Sequence, residues 1–418
     1  MKKIKTFLYI FILIPVLLTT LSCKDDIFFR ISEEIALKDP RIKGSPTNFV
    51  MFDKRMYVAT GKSLWAYYAS TGEWNVGKEG KWSKKSIKGK TLREYNIMQL
   101  AVTSSRLYAF CLKDNDASTS RKIIYNERTE DINSGAWSDD ITITTGKYDT
   151  IHSIYAANDK LYIGAQDSSS NNYAVHVLDA NGVFEKTITF PGKNEDDEDN
   201  SNSAILKGVE TDNGGNVFLC TGNGIFDGDG NALKNSKDES NANYMGIIKL
   251  PDDTIVAITR SGTLNSIDTT GITRITNFTD NQTSSALKEN RWATVAIGIS
   301  LENLEDPETS RKLLLIGRRD RGTSVNTGYT YGYFELELDS AGSIIGKRFN
   351  EPGAPEKGSY SSVGPSAASS YASSIGILPI KDIFQAPNGI IFASTHQSGV
   401  WSYKYRKEEK MDMWNSEE

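Results

Sequence analysis

From Phe49 onward, short apolar runs alternate with clusters of Gly, Asp, Asn, Ser and Lys, and hydrophobic positions inside the runs recur every second residue. That period belongs to strands, not helices. The clearest stretch is 380–414. There, 380–386 is apolar, Pro387-Asn388-Gly389 reads as a turn, and 390–394 is β-branched and aromatic. Val400, Ser402 and Lys404 then alternate with Trp401, Tyr403 and Tyr405, and 411–414 supplies a fourth short strand. The order of run, polar turn and second run appears six more times. The pairs are 49–52 with 56–59, 97–102 with 107–110, 151–155 with 161–164, 204–209 with 217–220, 245–250 with 255–258, and 292–299 with 314–317. The one helical expectation is a short segment at 31–37.

Aligning the copies makes Tyr57, Tyr108, Tyr162, Phe218, Val256, Leu315 and Phe392 equivalent, with successive differences of 51, 54, 56, 38, 59 and 77. A four-stranded antiparallel meander buries too little apolar surface to stand alone, so copies must pack on one another. The pattern predicts an all-β chain, a seven-bladed β-propeller of four-stranded antiparallel blades. Six or eight blades stay open, because the last interval has room for a degenerate copy. The blade at 380–414 holds four strands of its own. The ring is therefore expected to close by packing, with no segment before Phe49 hydrogen-bonded into the last sheet.

Residues 1–22 read as a signal peptide: Lys2, Lys3 and Lys5 precede the apolar run 7–18, which is short for a membrane-spanning helix. Leu21-Ser22-Cys23 resembles the end of a bacterial lipobox, with Thr20 where a branched aliphatic residue is usual. The resemblance implies lipidation of Cys23 and anchoring of the protein to a membrane of the bacterial cell envelope; 23–44, with mixed charge and few periodic apolar positions, reads as a tether, and 45–418 as the propeller. Lys24-Asp25-Asp26 resembles the acidic export tag of surface lipoproteins of Bacteroidetes, which leaves the outer-membrane surface open. The formal charge of -5 becomes -8 once the three leader lysines are subtracted, which gives no reason to propose nucleic acid as a partner. Cys111 and Cys220 lie in apolar runs and read as buried free thiols.

Ser398-Gly399-Val400-Trp401-Ser402-Tyr403 resembles the repeat of bacterial regulator-type propellers, and is similar to propeller lipoproteins of host-associated bacteria such as treponemes. Those proteins mainly sense or bind, so the resemblance implies a binding or interaction module for a protein or glycan and carries no catalytic residue. The alternatives are a carbohydrate-active enzyme, glycosidase or polysaccharide lyase, and a scaffold subunit of an envelope assembly complex. A glycosidase needs a placed carboxylate pair, and none stands out. A lyase needs a Tyr or His base near an Arg. Tyr329, Tyr331 and Tyr333 beside Arg318, Arg319 and Arg321 fit that only as a strand next to a turn. Ser134-Gly135-Ala136-Trp137 and Gly72-Glu73-Trp74 echo part of a sialidase box. No cofactor is expected apart from calcium as a candidate: Asp227, Asp229 and Asn231 alternate as in calcium loops, although Ala232 replaces the usual Gly and Asp-Gly is itself a turn dipeptide. His152, His176 and His396 read as single structural histidines.

Overall fold

The computed structural model describes residues 41–76, 78–85, 95–113, 121–127, 137–138, 141, 148–167, 172–190, 204–234, 243–275, 292–299, 312–318, 333–348, 380–396, 398–406 and 411–416. Within them every β-rich run becomes a strand, and the polar clusters become the links between strands. The first sheet holds β1 (Val50–Phe52), β2 (Arg55–Thr60), β3 (Ser63–Tyr68) and β4 (Lys81–Lys85). The second holds β5 (Tyr95–Val102), β6 (Arg106–Lys113) and β7 (Arg121–Glu127). The third holds β8 (Thr150–Ala157), β9 (Lys160–Gln166), β10 (Tyr173–Leu178) and β11 (Phe184–Thr189). In the fourth are β12 (Leu206–Thr211), β13 (Val217–Thr221) and β14 (Gly224–Asp227). The fifth comprises β15 (Tyr244–Lys249), β16 (Ile255–Thr259), β17 (Leu264–Asp268) and β18 (Gly271–Arg274). The sixth comprises β19 (Trp292–Ile299), β20 (Lys312–Arg318), β21 (Tyr333–Leu338) and β22 (Ile344–Arg348). The seventh comprises β23 (Ile380–Gln385), β24 (Ile391–Thr395), β25 (Val400–Arg406) and β26 (Met411–Ser416).

All pairings inside the sheets are antiparallel meanders, and the first strand of each sheet touches the first strand of the next. This is the β-propeller arrangement. The seven equivalent residues read from the sequence share one register, each on a second strand: Val50 faces Tyr57, Ala101 faces Tyr108, and Tyr155 faces Tyr162. Further round, Glu210 faces Phe218, Ile248 faces Val256, Ala296 faces Leu315, and Phe384 faces Phe392. The core lies in the seams between sheets. Tyr57 and Leu64 meet Leu100 and Cys111 between the first and second, while Val175 and Phe190 meet Leu206 and Phe226 between the third and fourth. Cys111 and Cys220 are buried free thiols, as their apolar surroundings suggest.

Turn chemistry follows the sequence closely. Asp53-Lys54 and Asn158-Asp159 have positive φ at both central positions, the mirror-image turn that matches strand twist. Asp179, Asp212, Asp227, Asp268 and Asp339 each turn a carboxylate oxygen back onto backbone N–H groups of their own loop.

The closing seam differs from expectation. The seventh sheet does supply its own fourth strand, but residues 42–44, assigned to the tether above, also bond to it. Gly399 N donates to Gly44 O at 2.9 Å and Val400 N to Ile42 O at 3.2 Å, with Gly44 and Ser398 bridged in parallel. The same segment then crosses to the first sheet, where Thr47 N donates to Ala59 O at 2.7 Å. Phe49 N donates to Asp382 Oδ2 at 2.8 Å. Expecting packing alone was wrong because a strand pattern cannot reveal unpaired donors at Gly399 and Val400, which need acceptors once buried. Gly44 has φ of +85°, and a Cβ there would meet Thr60 Oγ1 at 3.3 Å, so a bulkier residue would obstruct the crossing. Packing still contributes: Phe392 lies 4.8 Å from Tyr67, 5.6 Å from Trp82 and 6.2 Å from Phe49, measured between ring centroids.

Candidate functional site

The two rims are built differently. Links between one sheet and the next first strand include 86–94, 190–205, 275–291 and 349–379, and second-to-third strand links on the same rim include 114–120 and 319–332. On the opposite rim, Asp53-Lys54, 103–105, 158–159, 212–216, 250–254 and 386–390 join first to second strands, with 69–80 and 300–311 the longer links. Most of the sequence between described strands joins strand ends on the rim where the first strands begin, and connecting segments on a rigid scaffold are where binding residues concentrate.

On that rim the first strands share a second feature. One residue is skipped in the pairing of β5, β8, β12, β15, β19 and β23 with their partners, at Met98, His152, Lys207, Met245, Ala293 and Lys381 respectively. A bulge of this kind bends a strand and re-aims a side chain. The residue after each bulge stitches neighbouring sheets in several cases. Gln99 Oε1 accepts from Ile154 N at 3.0 Å, Ser153 Oγ donates to Leu206 O at 3.0 Å, and Asp382 accepts from Phe49 N. Asn48 occupies the corresponding place in the first sheet, donating to Leu100 O at 2.8 Å and accepting from Leu100 N at 2.9 Å. Gly164 permits one of these contacts, since a Cβ there would meet Ser153 Oγ at 2.6 Å and Leu206 Cβ at 2.9 Å.

His152 is the meeting point of side chains from the second, third and fourth sheets. Arg121 opens β7, His152 is the β8 bulge, Gln166 ends β9, Tyr173 opens β10, and Lys207 is the β12 bulge. Arg121 Nη1 donates to Ile151 O at 2.6 Å and lies 3.0 Å from His152 Nδ1, while His152 Nε2 lies 2.8 Å from Gln166 Oε1. The guanidinium can only donate, so Nδ1 is the acceptor and Nε2 carries the proton to the Gln166 oxygen. Burial holds the His152 pKa below the usual imidazole value, Gln166 opposes this, and the positive charges of Arg121 and Lys207 lower it further. The Tyr173 ring sits 6.0 Å from the imidazole. Arg121 Nε is buried without an acceptor. Among the described residues Arg121 makes no ion pair.

On β8, burial raises the Tyr155 hydroxyl well above the usual phenol range, Gln99 opposes this through a hydrogen bond, and Cys220 and Asp382 add to it. Burial lowers the pKa of half-buried Lys381, and Asp382 partly offsets that. Glu210 is half-buried on β12, and burial pushes its carboxyl up to about 7 against hydrogen bonds from the Lys249 and Thr211 backbone and the Lys249 charge.

Other residues singled out in the sequence fall elsewhere. His176 Nδ1 lies 2.9 Å from Thr187 Oγ1 and its Nε2 3.3 Å from Tyr148 O, so its partners are not those of His152. His396 follows β24. Among the described residues no three His, Cys, Asp or Glu side chains form a metal-holding group. Asp227 closes the hairpin after β14. It accepts from Asp229 N, Asn231 N and Asn231 Nδ2, each at 2.9 Å, and Asp229 faces Lys186 at 3.4 Å. The turn thus engages the Asp227 oxygens, one of the three ligand positions in the calcium pattern. Trp74 donates to Lys54 O at 3.0 Å, and Trp137 is buried between the first two sheets, so both sialidase-box echoes lead to packing positions. Cys23, Ser134, Arg319, Arg321, Tyr329 and Tyr331 lie outside the described residues, as do the predicted helix at 31–37 and the acidic run 194–200. Arg121, Gln166, Tyr173 and Lys207 were not nominated by sequence reasoning; their shared position at strand ends of one rim was the available signal.

No protein-family model matches the chain, and no curated protein does. Solved structures with a similar strand arrangement include a catalytically inactive virginiamycin B lyase from Staphylococcus aureus with quinupristin, 12% identical, covering 87% of this chain and 95% of that one at a TM-score of 0.48. The extracellular domain of the BT4673 hybrid two-component system from B. thetaiotaomicron is 13% identical, with 87% of this chain and 39% of that one covered at 0.45. YCF48 from Cyanidioschyzon merolae is 11% identical, with 87% and 97% covered at 0.46. At such identities the resemblance does not extend to side chains.

Proposed function

We propose that this chain is a lipid-anchored bacterial envelope protein whose propeller is a non-enzymatic binding module for a protein or glycan. The ligand is engaged by the rim on which the first strands begin. The observation that carries this reading is the concentration of long links on that rim, over a scaffold whose opposite rim is mostly tight turns. A base for lyase chemistry would need a free lone pair, and both His152 nitrogens are engaged. The anchor rests on the sequence alone: Cys23 after a three-part leader, with the acyl chains holding the body at a membrane.

Two measurements test the proposal in cells of the native host. Metabolic labelling with a palmitate analogue should mark the wild-type chain and not Cys23→Ala; equal labelling of both would refute the anchor. For the rim, a photoreactive amino acid placed at Thr150 or Lys62 should give adducts, while the same group at Lys54 or Asn181 on the opposite rim should not. Adducts confined to Lys54 and Asn181 would reverse the assignment.

A further inference from the structure

We infer that the seam between the first and second sheets holds one buried water molecule, shared by Asn126 and Trp137. The register places the two side chains together. Leu107 faces Asn126 across β6 and β7. On the other side of β7, Tyr125 and Ser138 form an antiparallel bridge in which Ser138 N donates to Tyr125 O at 3.0 Å, and this sets Trp137 opposite Asn126. Residues directly opposite in an antiparallel pair share a face, with Cβ atoms about 4.5–5.5 Å apart. That face is turned to the first sheet, because Leu107 and Trp137 pack there with Tyr57 and Leu64.

Asn126 is 1% exposed and Trp137 7%, yet Asn126 Oδ1 and Trp137 Nε1 are both buried without a hydrogen-bond partner in the protein. Such atoms are costly in an apolar seam unless something bonds them. The position of Asn126 is taken by Tyr67, Leu178, Ile267 and Leu336 in the first, third, fifth and sixth sheets, all of them buried. Of these only Tyr67 carries a polar atom, and its hydroxyl accepts from Gly80 N at 2.6 Å and from Asn388 Nδ2 at 3.2 Å. An amide in this register therefore needs a partner of its own. The two atoms select its chemistry: the indole N–H only donates and the amide oxygen only accepts. An anion would suit the first and be repelled by the second, and a metal cation the reverse. A neutral molecule that accepts and donates serves both, and water is the smallest that does.

A crystal structure of the full chain, at a resolution that places ordered waters, tests the site. The expected result is a single density peak about 2.7–3.2 Å from both Asn126 Oδ1 and Trp137 Nε1. Urea midpoints of Asn126→Leu, Trp137→Phe and the double variant supply a second test. Each single change leaves one buried polar atom and a water held by fewer bonds, whereas the double change removes both polar atoms and leaves an apolar seam. The midpoint shift of the double variant is therefore expected to be smaller than the sum of the two single shifts. Density in which Asn126 and Trp137 bond to each other or to other protein groups, with no water between them, overturns the inference. Additive shifts overturn it too, since two atoms with no shared partner act independently. The wild-type density decides the matter even where a variant fails to fold.

Discussion

Replacing Glu210 with Gln should stabilise the protein increasingly above the pH at which the unfolded carboxyl ionises, and fully above the pH at which the native one does. Glu210 lies on a first strand at the register occupied by Ala101, Tyr155, Ile248 and Phe384 in other sheets, a position built for neutral side chains. Burial raises its pKa from 4.5 to about 7. Below pH 4.5 both folded and unfolded forms are protonated, so the group imposes no penalty. Between 4.5 and about 7 the unfolded chain releases the proton and the native chain keeps it, so stability falls as pH rises; above about 7 the penalty is complete. At about 1.4 kcal/mol per pKa unit, the loss between pH 5 and pH 8 is about 2–3 kcal/mol. Glutamine keeps an oxygen for the Lys249 and Thr211 N–H groups and removes the charge. Urea unfolding of wild type and Glu210→Gln, followed by tryptophan fluorescence, should show nearly equal stability at pH 5 and a variant more stable by about 2–3 kcal/mol at pH 8. A difference that does not change between the two pH values would refute the reasoning, because it would mean the carboxylate is ionised throughout.

Phe392→Ala opens a cavity among Tyr67, Trp82 and Phe49 at the closing seam, and should cost about 3–5 kcal/mol in the same unfolding assay. Asp382→Ala leaves Phe49 N without its acceptor across that seam and should cost about 1–3 kcal/mol, while Asp382→Asn, which retains an oxygen, should cost less. Calcium chloride at matched ionic strength should leave the melting temperature where magnesium chloride leaves it, since the Asp227 oxygens already accept three N–H bonds. A calcium-specific rise abolished by Asp229→Asn would restore the metal site.

The period-two pattern and the turn dipeptides were enough to find the first two strands of each sheet and to align them. Tyr57, Tyr108, Tyr162, Phe218, Val256, Leu315 and Phe392 could be matched from spacing because each fills the same buried place on a second strand, and burial on both faces selects large apolar residues there. The shorter strands β14, β17, β18 and β22 were not foreseen. Their apolar positions are too few to stand out, and their pairing comes from the neighbouring longer strand. His152 could be placed on a strand, but nothing in the sequence made it the partner of Arg121, 31 residues away.

What the sequence determined by itself is local: strand periodicity, turn chemistry at Asp53, Asn158 and Asp227, and buried thiols. These depend on residues within a few positions of one another, so order along the chain records them. The tertiary structure decided which rim carries the long links, how the ring closes through residues 42–49, and which charges meet at Arg121, His152 and Lys207. Those outcomes depend on bulges that re-aim one residue on six of the first strands and on how closely Gly164 lets two sheets approach. A bulge has no residue signature of its own, and electrostatic fields act through space between positions the sequence keeps far apart.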